Sequence, residues 1–281
     1  KITEFLPQFL SKPDIGELYF FKNTADFTEA FRHSHFRDEA ILVKGARVFS
    51  FERIVQLLEL KAHQTVLEIN LSAIAHNLKI YQQLIKPHTR IMAMVKAFAY
   101  GSGSYEIAKL LEHQKVDYLA VAYIDEGVEL RKAGITLPIL VLNPEISNFD
   151  LLLRYHLEPE IYSQYILDKF IEALAEYAHE DVISPIHIKL DTGMHRLGFE
   201  RNDIPALIST LKQYPKIQIK SILSHLAASD EEAHDAFTLT QISQFQEMTS
   251  KIESELKYPF LKHILNSAGI ARFKEYQMDM V

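Results

Sequence analysis

The chain has 281 residues, 48% hydrophobic and 24% charged, with a formal net charge of −7 and no cysteine. The length admits one large domain or two smaller ones, and an acidic balance without a basic block excludes the electrostatic footprint of a nucleic-acid binder. Without cysteine there is no disulfide, thiol nucleophile or thiolate metal site, in keeping with a cytoplasmic protein, and no apolar run approaches the roughly 20 residues of a spanning helix.

The N-terminus "KITEFLPQFL" has neither an initiator Met nor the charged start and apolar core of a signal peptide, so the sequence reads as a fragment or a processed chain. The first 60 or so residues have their own rhythm. "ELYFF" reads as a strand, "TADFTEAFRHSHF" as a helix, "AILV" as a strand and "SFERIVQLLELK" as a helix. The pattern predicts a small N-terminal α/β segment with a boundary near Ala62 to Thr65.

Beyond that boundary, strands and helices alternate. "LSAIAHNLKIYQQLI" places apolar residues at 71, 74, 75, 78, 81 and 85, one face of a helix. Strand 91–95, a helix over 104–113, strand 118–122 and a helix from Ile124 to Gly134 follow. Pro138 opens the strand "ILVL", then come a helix near 147–155 and a short strand at 158–160. The series continues with helix 163–178, strand 185–190, helix 203–213, strand 217–223 and a long helix over 231–256. It ends on strand 263–265 and a short helix at 267–273. Repeated strand–helix units predict a parallel sheet covered by helices. Seven units are complete, and "QMDMV" reads as the start of an eighth strand where the sequence stops. Eight units close a (β/α)8 barrel, so the expected fold is a TIM-like barrel truncated in its eighth strand, with strand edges left open. An open doubly wound sheet is the alternative.

Four clusters sit where predicted strands end, the face on which barrels carry their chemistry. In "RIMAMVKAFAYGSGS", Lys96 follows a buried strand, and a desolvated amine there can form a Schiff base with an aldehyde. Tyr100 lies four residues on, beside Gly101 and Gly103. In "KLDTGMHRLGF", Arg196 suits a substrate carboxylate because its guanidinium grips two oxygens at once. In "SHLAASDE", His225 directly follows a strand, and in "NSAGIARF", Asn266 and Ser267 open a helix whose free N–H groups suit phosphate. Each cluster also has a plain structural explanation: a snorkelling lysine, a solvated loop, a hydrogen-bonded histidine, an N-cap. Together they point to a pyridoxal-phosphate site.

"VKAFAYGSGS" resembles the cofactor signature of alanine racemases, V-K-A-N-A-Y-G-H-G. "LAVAYIDEGVELRKAGITLPILVLNP", "KLDTGMHRLGF", "SHLAASD" and "NSAGIAR" are similar to later segments of that family in the same order, so the resemblance covers about residues 65–281. It implies the N-terminal barrel of an alanine racemase, an isomerase that interconverts L- and D-alanine for peptidoglycan synthesis with pyridoxal 5'-phosphate. By the same resemblance Lys96 binds the cofactor and is one of two catalytic bases. Tyr100 and Ser267 contact the phosphate beside Asn266, His225 lies against the pyridine ring, and Arg196 holds the phenolic oxygen and the substrate carboxylate. Lys189 matches a position carbamylated in some members. Phe98 and Ser102 depart from the family's Asn and His. In the family an arginine follows "MDMV", and a C-terminal β-domain supplies the second base, a tyrosine, to the neighbouring subunit of a homodimer. A chain with one base is expected to racemise poorly.

"EAILVKGARVFSFERIVQLL" resembles the end of Mur ligases, most closely the ligase that adds D-alanyl-D-alanine to the peptidoglycan precursor. The domain expectation is therefore a ligase tail over 1–64 and a racemase barrel over 65–281, as in a bifunctional fusion. A racemase of another amino acid and a non-catalytic pyridoxal-phosphate-binding protein on the same barrel are the alternatives. No metal, nucleic-acid partner or membrane association is expected.

Overall fold

The computed structural model describes residues 19–31, 41–44, 50–58, 68–101, 103–177 and 183–281; the side chains of Phe98 and Tyr100 lie outside the described set. The chain divides into two compact units, Lys1–Val66 and Leu67–Val281.

In the first unit, α1 (Thr24–Ala30) begins at Asn23, whose side chain accepts the Asp26 N–H at 2.9 Å and so satisfies a free helix-end donor. The second helix, α2, covers Glu52–Leu58. Phe27 packs edge-on against Phe21, with ring centroids 5.3 Å apart, and lies 5.7 Å from Phe31. The two stretches expected as strands are different: residues 19–21 and 41–43 form no ladder among the described residues. Aromatic and β-branched residues favour a strand only where a neighbouring strand gives them something to pair with. The remainder of those expected elements falls outside the described residues.

The second unit opens with α3 (Leu71–Leu84), capped by Asn70 on the Ala73 N–H at 3.0 Å. Then follow β1 (Met92–Met94), the short α4 (Lys96–Gly101), α5 (Ser104–His113), β2 (Tyr118–Val121), α6 (Ile124–Lys132) and β3 (Ile139–Val141). After a 3-10 turn at Ile146–Asn148 come α7 (Phe149–Arg154), β4 (Glu158–Ile161), α8 (Gln164–Tyr177) and β5 (Ser184–Lys189). The last elements are α9 (Ile204–Gln213), β6 (Ile217–Leu223), α10 (Asp235–Leu256), β7 (Leu261–His263) and α11 (Ser267–Arg272).

The seven strands pair in parallel and in chain order, β1 through β7. Residues 279–281 complete the ring. On one flank the Arg90 and Met92 N–H groups donate to the Asp279 and Val281 carbonyls at 2.9 and 2.8 Å, and Val281 donates back to Arg90 at 2.9 Å. On the other flank Met280 donates to the Lys262 carbonyl at 3.3 Å, and the Asp279 carboxylate accepts the Lys262 N–H at 2.9 Å. Residues 279–281 thus hydrogen-bond to both edges that the sequence left open, with a parallel bridge between Arg90 and Met280.

Strand alternation divides the side chains into two sets. Leu119, Val121, Ile139, Val141, Ile186, Ile188 and Ile222 join the apolar core shared with the helices. The alternate positions include Glu160, His187, Lys189, Ser221 and His263, all buried, and the part-buried Glu158, a polar set that hydrogen-bonds within itself. β7 lies two residues earlier than expected because Ser221 pairs with Leu261. Ile264 and Leu265 are thereby free to lead out of the strand into the loop before α11.

Candidate active site

The C-terminal ends of the strands surround a cavity of about 570 Å³. Its walls include Lys96, Lys189, Arg196, His225, Asn266 and Ser267, residues separated by more than half the sequence. Of the positions singled out from sequence around this cavity, the side chains of Phe98 and Tyr100 and the whole of Ser102 lie outside the described residues.

Lys96 is the first residue of α4, directly after the buried Val95, whose N–H donates to the Ala120 carbonyl at 2.8 Å. Glu126 of α6 fixes the turn that follows. One carboxylate oxygen accepts the Ala97 N–H at 2.5 Å, and the other accepts the Ala122 and Tyr123 N–H groups at 2.7 and 3.1 Å. Ala97 and Ala99 have φ of 53° and 51°, left-handed conformations that cost alanine on the order of 1–3 kcal/mol each. The lysine therefore sits on a strained turn held by a carboxylate clamp.

Arg196 is presented by a loop that closes on itself. Asp191 and Phe199 exchange backbone contacts across it, with Asp191 N–H to the Phe199 carbonyl at 3.0 Å and Phe199 N–H to the Lys189 carbonyl at 2.9 Å. The closure needs Gly198: at its φ of +133° a Cβ would stand 2.5 Å from the Asp191 nitrogen and 2.6 Å from the Leu190 carbonyl carbon. His225 is held through its backbone, its carbonyl accepting from the buried Gln241 side chain at 3.1 Å. Asn266 is the N-cap of α11, accepting the Gly269 N–H at 2.9 Å and the Ser229 hydroxyl at 2.7 Å.

The described residues lining the cavity include three cations, Lys96, Lys189 and Arg196, and no carboxylate. Lys189 alone is paired, to Glu160 at 3.2 Å, with both side chains buried. Burial pushes the Glu160 carboxyl up from its ordinary value, against the pull of Lys189 and, more weakly, Arg196. Among the described residues Lys96 and Arg196 have no hydrogen bond or ion pair. His225 titrates below its ordinary range, through burial first and then the charges of Lys189, Arg196 and Lys96. The site is a desolvated, net-positive cavity suited to an anion.

Sequence reading missed His263, which lines the same cavity, and Glu160 and Glu126, which hold Lys189 and the Lys96 turn. Glu160 carried a signal: a glutamate inside the short strand "EPEI" has to find a buried partner. His263 is pulled down to about 3, by burial first and then by His187 and Lys189. Its folded value lies below the ordinary 6.5, so below pH 6.5 the unfolded chain binds a proton that the folded chain refuses. The stability that keeping His263 neutral supports is complete above pH 6.5 and is lost progressively toward pH 3. Urea denaturation should show the midpoint falling from pH 7 to pH 4, with H263Q flattening that slope; equal slopes for both proteins would contradict the assignment.

A family described as "Alanine racemase, N-terminal domain" matches residues 69–281. The chain belongs to that family. Similar proteins include alanine racemase 2 of Caldanaerobacter subterraneus subsp. tengcongensis, 34% identical over 220 residues, covering 77% of this chain and 55% of the relative. The alanine racemase of a Synechocystis species is 34% identical over 221 residues, covering 76% and 57%. Among solved structures, an alanine racemase of Clostridium difficile 630 superposes with a TM-score of 0.70 at 34% identity, covering 76% of this chain and 58% of that one. The chain therefore spans a little over half the length of the alanine racemases it matches. No helix among the described residues is long and apolar enough to cross a membrane.

Proposed function

We propose that this chain carries the pyridoxal-phosphate-binding barrel of an enzyme that interconverts L- and D-alanine. The observation that carries the reading is the Lys96 amine, unpaired among the described residues, in a cavity whose described lining also holds Arg196, His225 and Ser267 and no acid. A volume of about 570 Å³ lies within the usual range for a small-molecule site, and the surplus positive charge fits a cofactor phosphate together with a substrate carboxylate.

Lys96 would hold the cofactor through its Nζ, Ser267 and Tyr100 its phosphate beside Asn266, and His225 its ring face. Arg196 would bind the phenolic oxygen and the α-carboxylate of alanine. When bound, pyridoxal phosphate supplies the electron sink that stabilises charge at the substrate α-carbon. Lys96 Nζ moves the proton on one face. Racemisation needs a second base on the other face, and in this reading a tyrosine from a C-terminal β-domain of the partner subunit provides it. Lys189, at a position carbamylated in some members of the family, would orient Arg196 from its place beside Glu160, 3.2 Å away. Residues 1–64 are read as the tail of a Mur ligase, joining D-alanine supply to peptidoglycan synthesis in one cytoplasmic, homodimeric fusion protein.

The test is covalent capture. The chain mixed with pyridoxal phosphate and reduced with borohydride should yield one phosphopyridoxyl adduct, on the peptide containing Lys96. An adduct confined to other lysines would refute the site.

A further inference from the structure

The buried polar set inside the barrel contains a continuous hydrogen-bonded line. Glu158 Oε2 meets His187 Nε2 at 2.7 Å, and His187 Nδ1 meets Ser221 Oγ at 2.6 Å. Ser221 Oγ then meets His263 Nε2 at 2.8 Å. His187 and Ser221 are fully buried and His263 nearly so, which isolates the line from competing water. The two ends differ. His263 lines the cavity that holds Lys96, with no hydrogen bond to Nδ1 among the described residues. Glu158 lines a second cavity, of about 560 Å³, at the N-terminal ends of β4 and β5, and its side chain is 14% exposed, enough to touch solvent.

A serine hydroxyl has one proton, so between two imidazole nitrogens it donates to one and accepts from the other. The line therefore has two directions. With Glu158 ionised and His187 neutral, His187 Nε2–H donates to the carboxylate and its bare Nδ1 accepts the Ser221 hydroxyl proton. Ser221 oxygen accepts His263 Nε2–H, leaving His263 Nδ1 bare toward the cavity. In the second state a proton arrives from the cavity at His263 Nδ1. His263 passes its Nε2 proton to Ser221 oxygen, and Ser221 passes its former proton to His187 Nδ1. One proton has entered and its charge rests on His187, beside the Glu158 carboxylate, while His263 stays neutral with Nδ1–H as a donor.

We propose that Glu158, His187, Ser221 and His263 form a proton relay through the barrel, storing a proton taken at the cavity as a His187–Glu158 ion pair and switching His263 Nδ1 from acceptor to donor. The arrangement avoids an imidazolium at His263, where burial and the neighbouring Lys189 oppose one. It places the charge next to a carboxylate instead. The other titratable groups around His187 are Tyr118 of β2, whose ring meets it edge-on at 5.8 Å, Glu160 of β4, Lys189 of its own strand and His263 of β7. None of these is hydrogen-bonded to Nε2, whose partner among the described residues is Glu158. The relay is independent of what the cavity binds, so its failure would leave the racemase reading intact.

The test is 15N NMR of the imidazoles in the full chain, assigned with H187Q and H263Q. At high pH the relay requires His263 as the Nε2–H tautomer. As pH falls, His263 Nδ1 should shift from bare to protonated with the same midpoint as the titration of His187. In S221A, which keeps the His187–Glu158 pair but breaks the line, the His263 shift should be lost. A His263 that holds one tautomer while His187 titrates would overturn the relay, as would coupling that persists in S221A. Should S221A not fold, the titration of the native chain decides alone.

Discussion

Replacing Lys96 by alanine is expected to abolish covalent capture of pyridoxal phosphate by this chain and to lower racemisation by any protein that contains this barrel by roughly a thousandfold or more. Two functions disappear together: the amine that bonds the cofactor aldehyde and the base that moves a proton on its face of the α-carbon. Lys96 has no structural partner to lose, since its side chain makes no hydrogen bond or ion pair among the described residues, so thermal stability should change little. K96R separates charge from chemistry. It keeps a cation for the phosphate, but a guanidinium does not give up its proton and cannot serve as the nucleophile. Both variants should lack the visible absorption band of the bound cofactor. An unaltered band in K96A would place the covalent bond on another residue.

The cations of this site were legible in the sequence because strand ends of a barrel converge on one face. Lys96, His225 and Asn266 each follow a strand, Arg196 lies on the loop after another, and the fold brings all four to one cavity. Their supports were less visible. Glu126 reads as a surface helix residue in "IDEGVELRK" until the Ala97 N–H is seen to reach it from 29 positions earlier. His187 alternates with isoleucines in "PIHIKL", a pattern that marks a half-buried strand without saying that the polar half is buried too, and Ser221 falls in phase with Ile217 and Ile219 until a register shift between β5 and β6 pairs it with His187. Burial on both faces is a property of closure, which no single strand encodes.

The order of strands was legible for a related reason: each apolar run is followed within a few residues by an amphipathic helix, and parallel neighbours require that crossover. Boundaries slipped where pairing overrides local pattern, as at β7, whose register is set by Ser221. The aromatic and β-branched stretches 19–21 and 41–43 look strand-like in isolation, yet they carry no ladder among the described residues. Propensity named a candidate in both cases, and the presence of a partner decided the outcome.

Removing Glu160 should be the most damaging change to stability in the site. The Lys189–Glu160 pair has side chains only 8% and 2% exposed, so E160A strands an ammonium in a low-dielectric interior. Breaking a buried pair from one side costs about 3–5 kcal/mol, which for a domain of this size corresponds to a melting temperature lower by roughly 10 °C. Two further variants identify the cause. E160Q keeps an acceptor for the lysine and should lose clearly less. The double variant E160A/K189M removes the stranded charge and should recover most of the stability, because apolar replacement of both partners is often neutral. If the double variant melts as low as E160A, the loss comes from packing at Glu160 and the ion pair is not what holds this side of the barrel. The same comparison bears on Arg196, which also draws on the Glu160 charge. In E160A the arginine loses that negative charge while Lys189 keeps its positive one, so the substrate KM should rise in any protein containing this barrel, with a smaller effect in E160A/K189M.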